Sequence, residues 1–404
     1  MSKDLLKYVE KRYKKDIIKF HRDIVAIPSE SCHEKDVIAR IRKEMLKVGF
    51  DSVRIDKMGN IIGRLGSGKT IIAMDAHIDT VGIGSPDQWK WDPFKGKVEN
   101  GNIYGRGSVD QKGGMTGMVY AARVIRDFKL TGDYTLYVVG SVQEEDCDGL
   151  CWQYLYNEEQ IRPEVVVITE PTNTNVYIGH RGRVEIGITV YGKSAHGSAP
   201  ERGDNAVYKM SRVVSAIERL NTTFKESDDT VLGKGTVAVT HIECKSPSLC
   251  AVPDEAYIHL DRRINRSEPK KKVLDQIRKA LKPTGVKAKI EILTYDTPSY
   301  RNLRYPTEKY YPAWVLDEKH RAVRSALKTS EDLYGKKAKP GKWTFSTNGV
   351  ATMGMFNIPT LGFGPGNEKY AHAVEEHIPI SHLLEAVVWY ATFPQNYLKA
   401  KGGR

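Results

Sequence analysis

Four short runs rich in β-branched residues, "IIGRL", "TIIAMDA", "YTLYVVGSV" and "EVVVITE", fall within the first 170 residues and constrain the fold more than any other feature. A helical pattern, "GGMTGMVYAARVIRDF", separates the second run from the third. Strands spaced by helices pair in parallel, and a mostly parallel sheet is covered by helices on both faces. Two amphipathic helices are expected ahead of this sheet. In the first, Leu5, Leu6, Val9, Tyr13, Ile17 and Phe20 share one face. The second begins with Ser31 and Glu34 in capping-box spacing and carries Val37, Ile38, Ile41, Met45, Leu46 and Val48.

Around Val176–Arg183 the pattern changes. The alternating run "VEIGITVYG" is followed by a helix near Asn205–Leu220, strands at "TVAVTHIEC" and "EAYIHLDRRI", a helix near Lys270–Leu281 and the strand "VKAKIEIL". The order β-α-β-β-α-β describes a small two-layer α+β domain. An α/β pattern then returns, with a helix near Glu318–Leu333, the runs "ATMGMF" and "TLGFGPG", and a last helix from His382. A chain of 404 residues is longer than one core usually serves. The expected organisation is a larger domain in two segments, residues 1–178 and 297–404, with residues 179–296 inserted between them.

Composition narrows the function classes. With 62 basic and 50 acidic residues the formal charge is +12, but Lys and Arg are scattered and no nucleic-acid-binding motif accompanies them. No nucleic-acid partner is expected, although the field favours anionic substrates. No apolar run approaches the roughly 20 residues of a membrane span, and the N-terminal stretch lacks an apolar core and cleavage site. A cytoplasmic protein without a membrane partner is therefore expected. Five cysteines, at spacings unlike a zinc knuckle, read mostly as buried thiols.

Charged and histidine side chains recur where a predicted strand meets its loop, which is where open α/β sheets keep their sites. His77 and Asp79 close "TIIAMDA", Asp110 lies in "IYGRGSVDQKGG", Glu144 and Glu145 end "YTLYVVGSVQEE", Glu170 ends "EVVVITEP", and His372 lies in "GFGPGNEKYAHAVEE". Singly, each is an ordinary cap, turn or solvated residue. Together, carboxylates gathered at one sheet edge repel unless cations neutralise them. Strand periodicity points His77 and Asp79 to one side, so that one can ligate while the other accepts the second ring N–H.

The stretches "AHIDTV", "GRGSVDQKGG", "QEED", "ITEP", "GKSAHGSAPERGDNA" and "GPGNEKYAHAVEE" resemble a family of di-zinc metallopeptidases. That family, metallopeptidase family 20, includes succinyl-diaminopimelate desuccinylase, acetylornithine deacetylase, aminoacylase-1 and glutamate carboxypeptidases. The resemblance covers nearly the whole chain. It implies a zinc-exopeptidase-like catalytic domain with an inserted lid and dimerisation domain, and a homodimer. It also implies two divalent ions per subunit, zinc first, with cobalt or manganese equally acceptable to His and carboxylate donors. Asp110 would bridge ions about 3.5 Å apart. His77 and Glu170 would complete one ion's shell, and Glu145 with His372 the other's. Asp79 would orient His77. Glu144 would be the general base that takes a proton from the metal-bridging water and delivers it to the leaving amine. His196 of "GKSAH" would stabilise the oxyanion in the partner's site. Arg263 would hold a substrate carboxylate, leaving Arg262 as a surface charge. Asn348, Gly364 and Gly366 are expected beside the substrate.

The implied activity is cleavage of an amide bond in an N-acyl amino acid or small peptide with a free carboxylate. Glu170 favours deacylases and carboxypeptidases, because aspartate at that position accompanies aminopeptidases and dipeptidases. Three departures bear on the pocket. Cys250 stands in "SLCAVPDE" where relatives often carry asparagine. Asn348 stands where aspartate is common, and Val350 where the desuccinylase has arginine. They argue against desuccinylase activity and leave the metal chemistry untouched. A dipeptidase or aminopeptidase of the same family is the alternative, and a metal-dead binding module a more distant one.

Overall fold

Thr70–His77 lies in the middle of a mixed sheet in the computed structural model, which describes residues 2–226, 229–335 and 339–402. It pairs in parallel with Tyr134–Ser141 on one side and Val165–Ile168 on the other. Thr360–Gly362 continues the parallel set beyond Val165–Ile168. On the opposite edge, Ile61–Leu65 and then Ser52–Ile55 add antiparallel strands. Ile72, Ala73, Met74 and all of Val165–Ile168 are fully buried, as strands covered on both faces must be.

The helices carry their apolar stripes as the sequence pattern predicts. Ser2–Val25 buries Leu5, Val9, Tyr13, Ile17, Phe20 and Ile24, but not Leu6. Lys35–Val48 buries Val37, Ile38, Ile41, Met45 and Val48, while Leu46 is exposed. Lys112–Asp127 packs against the long C-terminal helix Ile380–Gly402. The expected capping box is absent. Glu34 is the N-cap residue yet makes no side-chain cap hydrogen bond. Its Oε1 instead accepts from the backbone N–H of Gln143 at 3.1 Å, and Ser31 Oγ donates to Asp79 Oδ2 at 2.7 Å. Partners distant in the chain have claimed both side chains.

The chain divides into two compact units. One comprises Met1–Gly179, Asp296–Tyr305 and Val315–Arg404, and the other His180–Tyr295 and Pro306–Trp314. The second unit holds a fully antiparallel sheet in the order Thr236–Lys245, Glu255–Ile264, Gly182–Tyr191, Ala288–Ile292. Helices Ala206–Asn221 and Lys270–Leu281 cover one face, burying Met210, Val213, Ile217, Val273 and Ile277 with Ile186, Ile188, Ile258 and Leu260. Asn205 caps the first of these helices, its Oδ1 accepting from the backbone N–H groups of Val207 and Tyr208. Thr236–Lys245 is an edge strand whose last six residues are exposed.

Two expectations fail in this unit. Arg262 is not a surface charge: it is fully buried, paired with Glu268 and stacked 4.1 Å over the Phe224 ring. Cys244 and Cys250 are exposed, because an edge strand and the loop beyond it carry them, whereas Cys147 and Cys151 are buried. Among the described residues no helix is long and apolar enough to cross a membrane.

Candidate metal centre

The first unit brings seven polar side chains to the C-terminal ends of its parallel strands. His77 is the last residue of its strand and pairs in register with Ser141, so Val142–Glu145 leaves the neighbouring strand beside it. Glu170 lies two residues past Val165–Ile168, and Asp110 two residues before the helix Lys112–Asp127. His372 follows the short turn Glu368–Tyr370 and takes a left-handed backbone, φ 61°.

Asp110 stands between the two histidines. Its Oδ1 is 2.9 Å from His77 Nε2 and its Oδ2 is 3.2 Å from His372 Nε2. Around His77 Nε2 lie Glu170 Oε1 at 3.4 Å and Glu144 Oε2 at 3.9 Å. His372 Nε2 also meets Glu145 Oε2 at 3.1 Å. Donor atoms from His77, Asp110 and Glu145 fall within 4.8 Å of one another, as do those from His77, Glu144 and Glu170. His77, Glu144 and Glu170 are buried, while half of the His372 side chain is exposed.

Electrostatics show what this cluster lacks. Burial alone would lower the His77 pKa, but Glu144, Asp110 and Glu170 outweigh it and push the imidazole well above its usual range. Burial, with Asp110 alongside, raises Glu170 to about 8. Burial, with Asp148, Glu170 and Glu145 nearby, holds Glu144 well above the ordinary carboxylate range. Hydrogen bonds that His372 donates to the Asp110 and Glu145 carboxylates raise it to about 10. Protons are thus retained where negative charge is in excess. Glu144 Oε1, Glu170 Oε2 and Asp79 Oδ1 are buried with no hydrogen-bond partner among the described residues. Orphaned buried oxygens on anionic side chains are costly, and a divalent cation satisfies both the charge and the lone pairs. The residues present therefore fit a metal centre.

The supporting contacts differ from expectation in instructive ways. The partner of His77 Nδ1 is the backbone carbonyl of Asp79, at 2.9 Å, and the nearer Asp79 carboxylate oxygen is 3.6 Å away. A carbonyl only accepts, so Nδ1 carries the proton and Nε2 faces the carboxylates. The Asp79 carboxylate accepts instead from Ser31 Oγ and, at 3.1 Å, from the Glu145 backbone N–H. Sequence reasoning missed Glu376 altogether. This fully buried carboxylate accepts from the N–H groups of Val109 and Asp110 at 3.0 and 3.1 Å and from Arg106 Nη1 at 2.6 Å. The signal was present in "GRG" and "EE", inside the quoted motifs, but nothing local pairs them.

Asn348, expected beside the substrate, is instead bonded to the protein around it. It is 1% exposed, and its amide is consumed by protein groups on every side. Gly364 and Gly366 are likewise buried packing positions. A Cβ on Gly364 would lie 2.0 Å from the Glu170 carbonyl oxygen, and one on Gly366, at φ +83°, 2.1 Å from Val109 Cγ2. Their small size lets this loop approach the Glu170 and Asp110 segments.

His196 and Arg263 belong to the second unit. The exposed His196 accepts at Nδ1 from the Ser198 backbone N–H, at 3.1 Å, which leaves the proton of the neutral ring on Nε2. Its loop is pinned by Gly197 N–H donating to the Cys250 carbonyl at 2.7 Å. Arg263 is partly exposed and paired with Asp261 at 2.8 and 2.9 Å.

A mainly parallel sheet with an acid- and histidine-rich metal centre at its strand ends defines a metal-dependent hydrolase. Residues 73–396 match the model of peptidase family M20/M25/M40, and the chain belongs to that family. It is 50% identical, over 96% of both chains, to "Uncharacterized protein YgeY" of Escherichia coli strain K12. Its fold is similar to that of an M20 family metallo-carboxypeptidase from Sulfolobus solfataricus, with a TM-score of 0.74 at 17% identity over 95% of this chain and 98% of that one. It is also similar to a Bacillus subtilis protein described as a dinuclear metal-binding peptidase of the same family. That match has a TM-score of 0.70 at 14% identity and covers 97% and 99% of the two chains.

Proposed function

We propose that this chain hydrolyses the amide bond of an N-acyl amino acid or small peptide bearing a free carboxylate, at a centre of two divalent cations with zinc foremost. The observation that carries this reading is Asp110, whose two oxygens face two different histidines, each accompanied by its own glutamate. His77 and Glu170 would hold one cation, Glu145 and His372 the other, and Asp110 would be available to both. Bound there, the cations supply a water acidified toward neutral pH and polarisation of the scissile carbonyl.

The chain's residues supply the rest. Glu144 takes the proton of the attacking water and hands it to the leaving nitrogen, and the upward push of burial on its carboxyl suits a base that must next act as an acid. Asp79 holds the Glu145 backbone and, through its own carbonyl, the tautomer of His77. The second unit serves as lid and dimerisation domain. Its exposed edge strand, with Ile242 58% exposed, offers a surface that a second copy would cover in a homodimer. His196, with Nε2–H free to donate, stabilises the oxyanion in the partner subunit's site. Arg263 captures the substrate carboxylate, for which it exchanges Asp261. Five cysteines kept as thiols suit a reducing, cytoplasmic setting. Glu170 ranks acyl amino acids ahead of dipeptides.

The test is a hydrolysis panel with the zinc-loaded protein, comparing N-acyl amino acids, their C-terminal amides and dipeptides. Turnover of the free acids, with loss of most activity on their amides, is expected. Dipeptide cleavage without any acyl-amino-acid cleavage would replace this reading with the dipeptidase one.

A further inference from the structure

Asn348 lies below the metal centre, away from solvent, and its amide is fully committed. Nδ2 donates to Asp75 Oδ2 at 2.9 Å and to Ser141 Oγ at 3.0 Å. Oδ1 accepts from the Gly149 backbone N–H at 2.8 Å and from Cys151 Sγ at 3.3 Å. A backbone N–H can only donate, so the contact with Gly149 fixes which end of the amide faces which partner. Among common side chains only an amide offers two donors and a two-fold acceptor on one planar group.

The identity of those partners gives the arrangement its meaning. Asp75 is two residues before His77, on the same face of the strand. Ser141 ends the neighbouring strand and pairs in register with His77. Gly149 ends the loop that leaves that strand and carries Glu144 and Glu145. It has no room for a side chain, since a Cβ there would lie 2.7 Å from Val350 Cγ2 and 2.9 Å from Ala351 Cβ. One side chain thus joins both strand ends and the far end of the Glu144–Glu145 loop.

We propose that Asn348 is a positioning residue: it fixes the separation between His77 and the Glu144–Glu145 loop, and so sets the affinity of the centre for its divalent cations. The inference rests on the two-cation reading above. An aspartate at 348 would keep the acceptor and lose both donors, leaving Asp75 facing a second carboxylate and depriving Ser141 Oγ of the N–H it accepts. Shape alone would not restore the clamp.

The experiment measures Co2+ affinity by chelator competition, the visible absorption bands of bound Co2+, and thermal stability. It compares the full chain with Asn348→Ala, Asn348→Asp and the milder Asn348→Ser. Thr352→Ala is the control. Thr352 is as deeply buried and its side chain accepts a hydrogen bond from Thr360 Oγ1 at 2.8 Å, a bond that involves neither strand end that Asn348 clamps. The three Asn348 variants should bind Co2+ about 10- to 100-fold more weakly and shift its bands, as loss of an outer support for ligands typically does. Thr352→Ala should lose stability and keep both affinity and bands. Wild-type affinity and bands in Asn348→Ser, or in any Asn348 variant that folds, would overturn the inference alone. Failure of the wild-type chain to bind Co2+ would overturn the two-cation reading and the inference with it.

Discussion

Glu376 holds Asp110 from behind: one carboxylate oxygen accepts the backbone N–H of Asp110 at 3.1 Å while the other takes Arg106 Nη1 at 2.6 Å. Arg106 Nη2 in turn reaches the His372 carbonyl at 3.4 Å, so the pair ties the Asp110 loop to the His372 turn. Removing Glu376 leaves a buried guanidinium unpaired, which typically costs about 3–5 kcal/mol. Glu376→Ala should therefore lower the unfolding free energy by that order and weaken metal binding as well. Denaturant unfolding and metal analysis of one preparation check both.

In the proposed assignment Glu144 is the base and stands outside both cations' donor sets. Glu144→Ala should retain the cations and lose about two to four orders of magnitude in kcat, the usual scale for a general base. Steady-state kinetics beside metal analysis tests this, and near-normal turnover would remove Glu144 from its role.

His21 provides a pH dependence separate from the metal centre. It is fully buried, its Nδ1 is 3.0 Å from Thr116 Oγ1, and its Nε2 has no partner among the described residues. Burial, with Lys112 nearby, lowers its pKa to about 3 from the usual 6.5. Between those values the unfolded chain binds a proton that the folded chain refuses. His21's contribution is thus complete above about pH 6.5 and is lost as pH falls toward 3. His21→Gln should be less stable near pH 7.5 but lose less stability on acidification to pH 5. Denaturant midpoints at the two values measure it.

Cation and proton compete for the same donors. Glu170 and His372 hold protons up to about pH 8 and 10, so in the metal-free chain their stabilisation is present at low pH and fades as pH rises through those values. The rise in melting temperature produced by added zinc should accordingly be larger at pH 8.5 than at pH 6, by differential scanning calorimetry.

Much of this molecule was legible because its signals are local or ordered along the chain. Apolar, β-branched runs leading into His77, Glu145 and Glu170 place those groups at or just beyond strand ends, and the β-α-β-β-α-β order of the second unit follows from its spacing. What escaped depends on pairings with no local period. Ser31 and Glu34 have the spacing of a capping box, yet distant partners, Asp79 and Gln143, outcompete the helix end for them. Arg262 and Arg263 are adjacent, and only the register of Glu255–Ile264 decides that the first points into the core with Glu268. Asn348 resembles a pocket residue until Asp75, Ser141 and Gly149 are seen around it. Glu376 and Arg106 are separated by 270 positions.

The most direct test of the account is a count of tightly bound divalent cations in the wild-type chain and in Asp110→Asn, after loading with zinc and exhaustive buffer exchange. Sharing of Asp110 between His77 and His372 predicts about two ions per wild-type chain, as in other two-metal centres, and at most one in the variant. No retained zinc in the wild type, or two ions in both proteins, would contradict it.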